Sequence, residues 1–175
     1  MPSRRQFLAA AGTTGVAACA GCASTFDEQH AAFVHAKSVR VRWQAASGER
    51  ATRVLRVNHD AANGRVHGYY DPALVAAAVE PPTGVVVDDA THDRLTGEFD
   101  AVEYELGVCD GSPGDVGECF EETAGREDFN SAPLTGRCAV VEAGDELDVV
   151  GAESGVYDVK RVELDERAWD AHRDN

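Results

Sequence analysis

The sequence predicts an all-β domain, a β-sandwich with one or two short helices, with a small β-barrel as the alternative. Three observations lead there. Short segments alternate apolar and polar side chains with the period of a strand that has one buried face. Turn signals rich in Gly, Asn, Asp and Pro punctuate them at short intervals. Before residue 165, only one stretch, residues 71–79, carries the cap, proline and apolar run of a helix.

The first strand covers residues 38–45, where Val39, Val41 and Trp43 alternate with Arg40, Arg42 and Gln44. The second covers 52–59, with Leu55 and Val57 set against Arg53 and Arg56. An odd loop, Ser47-Gly48-Glu49, places Val41 opposite Leu55 and Val39 opposite Val57; an even loop would set Val39 against Arg56. Asn63-Gly64 then reads as a two-residue type I′ hairpin turn. That register faces Val57 with Tyr70, His59 with Gly68 and Ala61 with Val66 on the inner face, leaving Asn58 with Tyr69 and Asp60 with His67 outside.

Asp71 caps the helix and Pro72 suits its first position, while Pro81-Pro82 ends it. Residues 85–87 read as a brief buried strand and 98–109 as a longer one. Between Cys109 and Cys119 the glycines and Pro113 indicate a loop, and 121–133 is polar and irregular. The last strands are 137–142, 146–150 and 157–164, after which Asp165 caps a short helix carrying Trp169 or the chain ends as a tail. About seven to nine such strands suit a sandwich of immunoglobulin-like character.

Ahead of the domain stands Ser3-Arg4-Arg5-Gln6-Phe7-Leu8, then a weakly apolar run to Ala20, then Gly21-Cys22. The stretch resembles a twin-arginine signal ending in a lipoprotein box, with Arg4, Arg5, Phe7 and Leu8 as the recognition residues. The resemblance implies that Cys22 carries a lipid; Val16-Ala17-Ala18-Cys19 is a second reading, with the lipid on Cys19. Residues 7–21 are too short and too diluted to span a bilayer, which takes about 20 apolar residues. Residues 1–21 are therefore expected to be a signal, 22–36 a tether, 37–164 the β domain and 165–175 a short helix or tail. The expected location is the outer face of the cytoplasmic membrane.

Removing the signal leaves 31 acidic against 14 basic residues, a formal charge of −17. Nucleic acid is excluded as a partner, because binding it requires cations that neutralise phosphates. The basic set is almost all arginine, with Lys37 and Lys160 as the two lysines. This composition resembles proteins of extreme halophiles, and together with the signal it points to a twin-arginine-exported lipoprotein of haloarchaeal type. Dense carboxylates keep a chain hydrated where salt has screened repulsion to a Debye length of about 3 Å.

The chemistry-bearing residues form no recognisable reaction set. His59, Asp60, His67, Tyr69 and Asp71 look like a cluster in one dimension, but neighbouring strand residues face opposite ways, so His59 and His67 cannot share an ion. A blue-copper site lacks its histidine after the cysteine and its methionine. Calcium ligation around Asp110 and Asp115 does not match an EF-hand spacing, and no Gly-x-Ser-x-Gly elbow surrounds Ser112 or Ser154. No metal or other cofactor is expected. Cys109 and Cys119 are the favoured disulfide, since local closure meets the Cα limit of about 7 Å most easily, and Cys138 competes for either. The expected function is a lipid-anchored, non-catalytic surface module that binds a ligand or serves a structural role. The alternative is an exported hydrolase assembled from distant residues, for which a deep pocket gathering His92 or Asp88 would be the sign.

Overall fold

The computed structural model describes residues 30–80, 83–112, 115–143, 145–155 and 157–169. The expected export signal at Arg4, Arg5, Phe7 and Leu8 and the lipid sites Cys22 and Cys19 lie outside them. Eight strands occur among the described residues: β1 (His30–Ala45), β2 (Gly48–Asp60), β3 (Arg65–Tyr70), β4 (Ala101–Ser112), β5 (Asp115–Ala124), β6 (Arg137–Ala143), β7 (Glu146–Glu153) and β8 (Arg161–Glu166). The helices are short: α1 (Pro72–Val75), continued by a 3-10 turn at Ala76–Val79, α2 (Asp89–Glu98) and α3 (Arg126–Ser131).

The strands close a ring, β1-β4-β5-β7-β6 and back to β1, with β2, β3 and β8 extending from β1 as a flap. The all-β class holds, but the ring matches the barrel alternative and not the immunoglobulin-like sandwich. The length of β1 explains the difference. One of its edges pairs with β4 over residues 32–42, while the other pairs first with β6 over 30–33 and then with β2 over 36–45. One strand thus joins what would otherwise be two separate sheets. The ring shuts at a narrow seam, the parallel pair Ala124 with Leu147.

β1 starts at His30, and Ala32, Phe33, Val34 and Ala36 are all buried, so part of the expected 22–36 tether belongs to the fold. The β1–β2 hairpin turns on the even pair Ala46-Ser47, with Ala45 opposite Gly48. A bulge at Val54 then restores apolar matching by placing Val39 opposite Leu55, where loop length was expected to set the parity. The β2–β3 hairpin is wider than the expected two-residue turn, since Asp60 pairs with Arg65 across four residues. A type I′ turn needs positive φ at both central residues, and here only Gly64 has it, at +64°. The register moves by two, so His59 faces Val66 and Asn58 faces His67, yet every side chain keeps its expected face.

Asp71 caps α1 by accepting from the N–H groups of Ala73 and Leu74, and its other oxygen accepts from the Trp169 N–H at 2.6 Å. That bond holds Trp169 after β8; of the helix expected from Asp165, residues 170–175 lie outside the described residues, and Asp165 itself lies within β8. Residues 85–87 form no strand. Val85 and Val87 are buried, and the Asn130 side chain both donates to and accepts from the Val87 backbone in place of a neighbouring strand. Residues 109–112 and 115–119, where a loop was expected, pair antiparallel as the ends of β4 and β5, and the segment expected to be irregular contains the end of β5 and α3.

The core fills the ring with Val34, Val39, Val41, Leu106, Val108 and Leu147, among others. At one end Trp43, Phe99 and Trp169 meet edge to face, with ring centroids 4.9–6.3 Å apart. Lys37 is buried in the core, 1% exposed. Its ammonium donates to the Val85 carbonyl at 2.7 Å and the Ala132 carbonyl at 3.0 Å, and lies 4.3 Å from the Phe129 ring centroid. It thereby ties β1 to α3 and to the segment before α2.

Candidate functional site

The other end of the ring, where β1 begins and β4 ends, gathers the groups capable of chemistry. β1 bulges between Val34 and Ala36 against β4, which leaves His35 as the extra residue. A bulge re-aims its side chain. The imidazole occupies the space a side chain on Gly107 would need, since a Cβ there would lie 2.7 Å from His35 Nε2. Only glycine opposite the bulge permits this seat.

Cys109 and Cys119 are direct cross-strand partners in the β4–β5 hairpin. Their sulfurs stand 2.07 Å apart, a bonded distance, with Cα atoms 4.1 Å apart. Cys138, the competitor, is free and buried on β6. His35 reaches both sulfurs: one ring nitrogen and the two Sγ atoms all fall within 4.8 Å of one another. Cys109 is buried and Cys119 is exposed.

Beside this group lies a cavity of about 230 Å³ lined by Phe33, His35, His59, Asp60, Ala61, Ala62 and the disulfide. His59 is 3% exposed and tilts against Tyr157, with ring centroids 6.0 Å apart. Neither of its nitrogens completes a hydrogen bond of good geometry, although the Leu134 backbone lies close enough to favour the protonated ring. Burial outweighs that backbone group and Asp60 and lowers the His59 pKa. His35 is lowered too, first by burial, with Glu121 opposing and Arg56 assisting. Both rings are therefore neutral near pH 7, able to accept as well as donate a hydrogen bond.

A band of ion pairs flanks the cavity on the outer face of β1, β2, β4 and β5. Arg56 holds Glu121 in a two-pronged contact, Arg53 pairs with Glu105 at 2.7 Å, and Arg42 with Glu103 at 2.8 Å. The Arg56 guanidinium holds the Glu121 carboxyl below the usual carboxylate range. A second, wider groove of about 500 Å³ crosses β3 and β8. Its charges are largely spent on one another: Arg65 and Arg161 both pair with Glu163, and Arg167 lies 4.3 Å over Tyr69.

The structure disperses the linear His59 to Asp71 cluster. His59 turns inward, His67 lines the outer groove, Asp60 accepts from the Asn63 backbone and side chain, and Asp71 is a cap. The residues named for an enzyme pocket are also committed elsewhere, with Asp88 capping α2 and His92 Nδ1 2.7 Å from the Tyr104 hydroxyl. Sequence reasoning missed His35. It stood in the expected tether, and its one signal was a histidine within an unbroken apolar run.

Compared with family models, curated proteins and solved structures, the chain matches none. Among the described residues no helix is long and apolar enough to cross a membrane.

Proposed function

We propose that the chain is a lipid-anchored, non-catalytic binding module, exported and held on the outer face of the cytoplasmic membrane, with the His35–His59 cavity as its ligand site. The carrying observation is that two neutral imidazoles, His59 buried and His35 half-buried, line a largely apolar space of about 230 Å³ in which Asp60 is the one carboxylate. Apolar walls with a few convergent polar groups are the usual make-up of a small-molecule site. The ligand that suits it is small, with one or two hydrogen-bonding groups.

Two features support the tether and the compartment. Arg4-Arg5 and the Ala20-Gly21-Cys22 ending supply an export address and a lipid acceptor. The Cys109–Cys119 bond suits an oxidising environment. The membrane is the partner through that lipid, and the charge of −17 sets the surface against nucleic acid.

Fractionation of cells expressing Cys22→Ser tests the tether: the variant is expected in the medium or retained unprocessed. A response only to Cys19→Ser moves the lipid to that residue, and a membrane pool unaffected by either change defeats the tether. For the cavity, a fragment library followed by amide shifts should perturb Ala61, Ala62 and His35 first. Perturbations confined to the Arg65–Glu163 groove would place the site elsewhere.

A further inference from the structure

We propose that His35, Cys109 and Cys119 form a thiol-gated Zn²⁺ site, closed while the two cysteines are bonded and opened when a dithiol reductant cleaves that bond. The proposal rests on these three side chains and not on the tether; because His35 and the disulfide also line the cavity, metal and cavity ligand would compete for one place.

The ligand set is already assembled. One imidazole nitrogen and two sulfurs lie within 4.8 Å of one another. In a tetrahedral zinc site, with bonds of about 2.3 Å to sulfur and 2.0 Å to nitrogen, ligand atoms stand roughly 3.5 to 3.8 Å apart. The sulfurs therefore need to separate by side-chain rotation, while the backbone holds its place. That backbone is secured on one side, where Val108 pairs with Phe120 and Gly107 with Glu121, and beyond a register irregularity on the other the ladder resumes with Gly111 opposite Val116. His35 is fixed by the bulge and its seat over Gly107. Three protein ligands leave a fourth position for water, as in zinc sites that exchange their metal or act on solvent.

The opening step follows from exposure. Cys119 is exposed and Cys109 is buried, so the reductant's thiolate attacks Cys119 Sγ and Cys109 leaves as the thiolate. The reductant's second thiol then attacks the mixed disulfide, releasing Cys119 and closing the reductant's own disulfide. Two electrons pass to the cysteine pair, and the dithiol is oxidised by the same two. Zn²⁺ then binds the two thiolates and His35, and any protons on the sulfurs pass to solvent.

The test uses the full chain with Cys19→Ser and Cys22→Ser, so that Cys109, Cys119 and Cys138 are the remaining thiols. The protein is titrated with Co²⁺ before and after treatment with a phosphine, and Zn²⁺ affinity is measured against a chromogenic chelator. Only the reduced protein should bind one Co²⁺ with a sulfur-to-cobalt charge-transfer band, and Cys109→Ser with Cys119→Ser should abolish it. His35→Gln should weaken Zn²⁺ by at least ~10-fold, the lower end of what losing even an outer-shell partner costs. In the chain with His35 intact, the imidazole nitrogen resonance should shift on Zn²⁺ addition, which gives a reading that does not depend on the variant folding. Absence of the band in the reduced protein, its persistence without Cys109 and Cys119, or an imidazole resonance that does not move would each overturn the proposal.

Discussion

Lys37 and Cys138 are both buried without an opposite charge, and they pull the pH dependence of stability in opposite directions. Burial lowers Lys37 from 10.5 to about 7. Between those values the unfolded chain keeps a proton that the native chain releases, so stability rises with pH. Burial pushes the Cys138 thiol from 9.0 up to about 11, and there the native state keeps the proton, so stability falls as pH climbs through that range. The expected profile rises from pH 7 to about 9 and then flattens. Urea midpoints across this range should lose the rise in Lys37→Met, while Cys138→Ala should extend it above pH 9. Lys37→Met should also cost about 1–3 kcal/mol, because it leaves the buried Val85 and Ala132 carbonyls without their donor. A flat profile in the unsubstituted protein would mean that the two carbonyls and the Phe129 face compensate the ammonium for its lost water.

Among the elements, the β2–β3 turn and the β4–β5 hairpin carry the sharpest expectations. Gly64 has φ +64°, and a Cβ there would lie 2.8 Å from the Asp158 carbonyl. Its own carbonyl accepts from the Lys160 and Arg161 N–H groups and so seats β8. Gly64→Ala should cost about 1–2 kcal/mol for the left-handed backbone, and amide exchange should quicken across residues 161–166 more than elsewhere. Removing both Cys109 and Cys119 as alanines should lower stability by about 2–3 kcal/mol in chemical denaturation, the chain-entropy value for so short a loop. Legibility followed solvent. The faces of β2 and β3 could be read because each has one wet side, and the shifted registers kept their parity. The start of β1 could not be read, because from Ala32 to Val39 every residue but His35 is buried and no alternation survives. α2 and α3 show no apolar stripe either, since α2 buries only Thr91 and Leu95, and α3 only Phe129. The cysteine pair was legible from spacing; the bulge that brings His35 to it was not.

For the molecule as a whole, net charge and barrel closure decide the response to conditions. Four arginines of β1 and β2 are engaged with Glu49, Glu103, Glu105 and Glu121, exposed or part-exposed pairs worth about 0–1 kcal/mol each. Against them stands the repulsion of 31 acids, and with a formal charge of −15 the repulsion dominates. Raising salt from about 0.1 M to 1 M shortens the Debye length from about 10 Å to 3 Å, so thermal midpoints should climb. A midpoint that falls with salt would show that the ion pairs matter more than the surplus acid. The pairing of β1 has a mechanical consequence. It is laced to β4 on one edge and to β6 and β2 on the other, and β8 runs parallel to it at the far side of the flap. A pull between the segment before His30 and the segment after Trp169 acts along the strands from opposite ends, so the backbone bonds share the load in shear instead of parting one at a time. A module moored by its N-terminus would thus meet drag with its most heavily bonded strand.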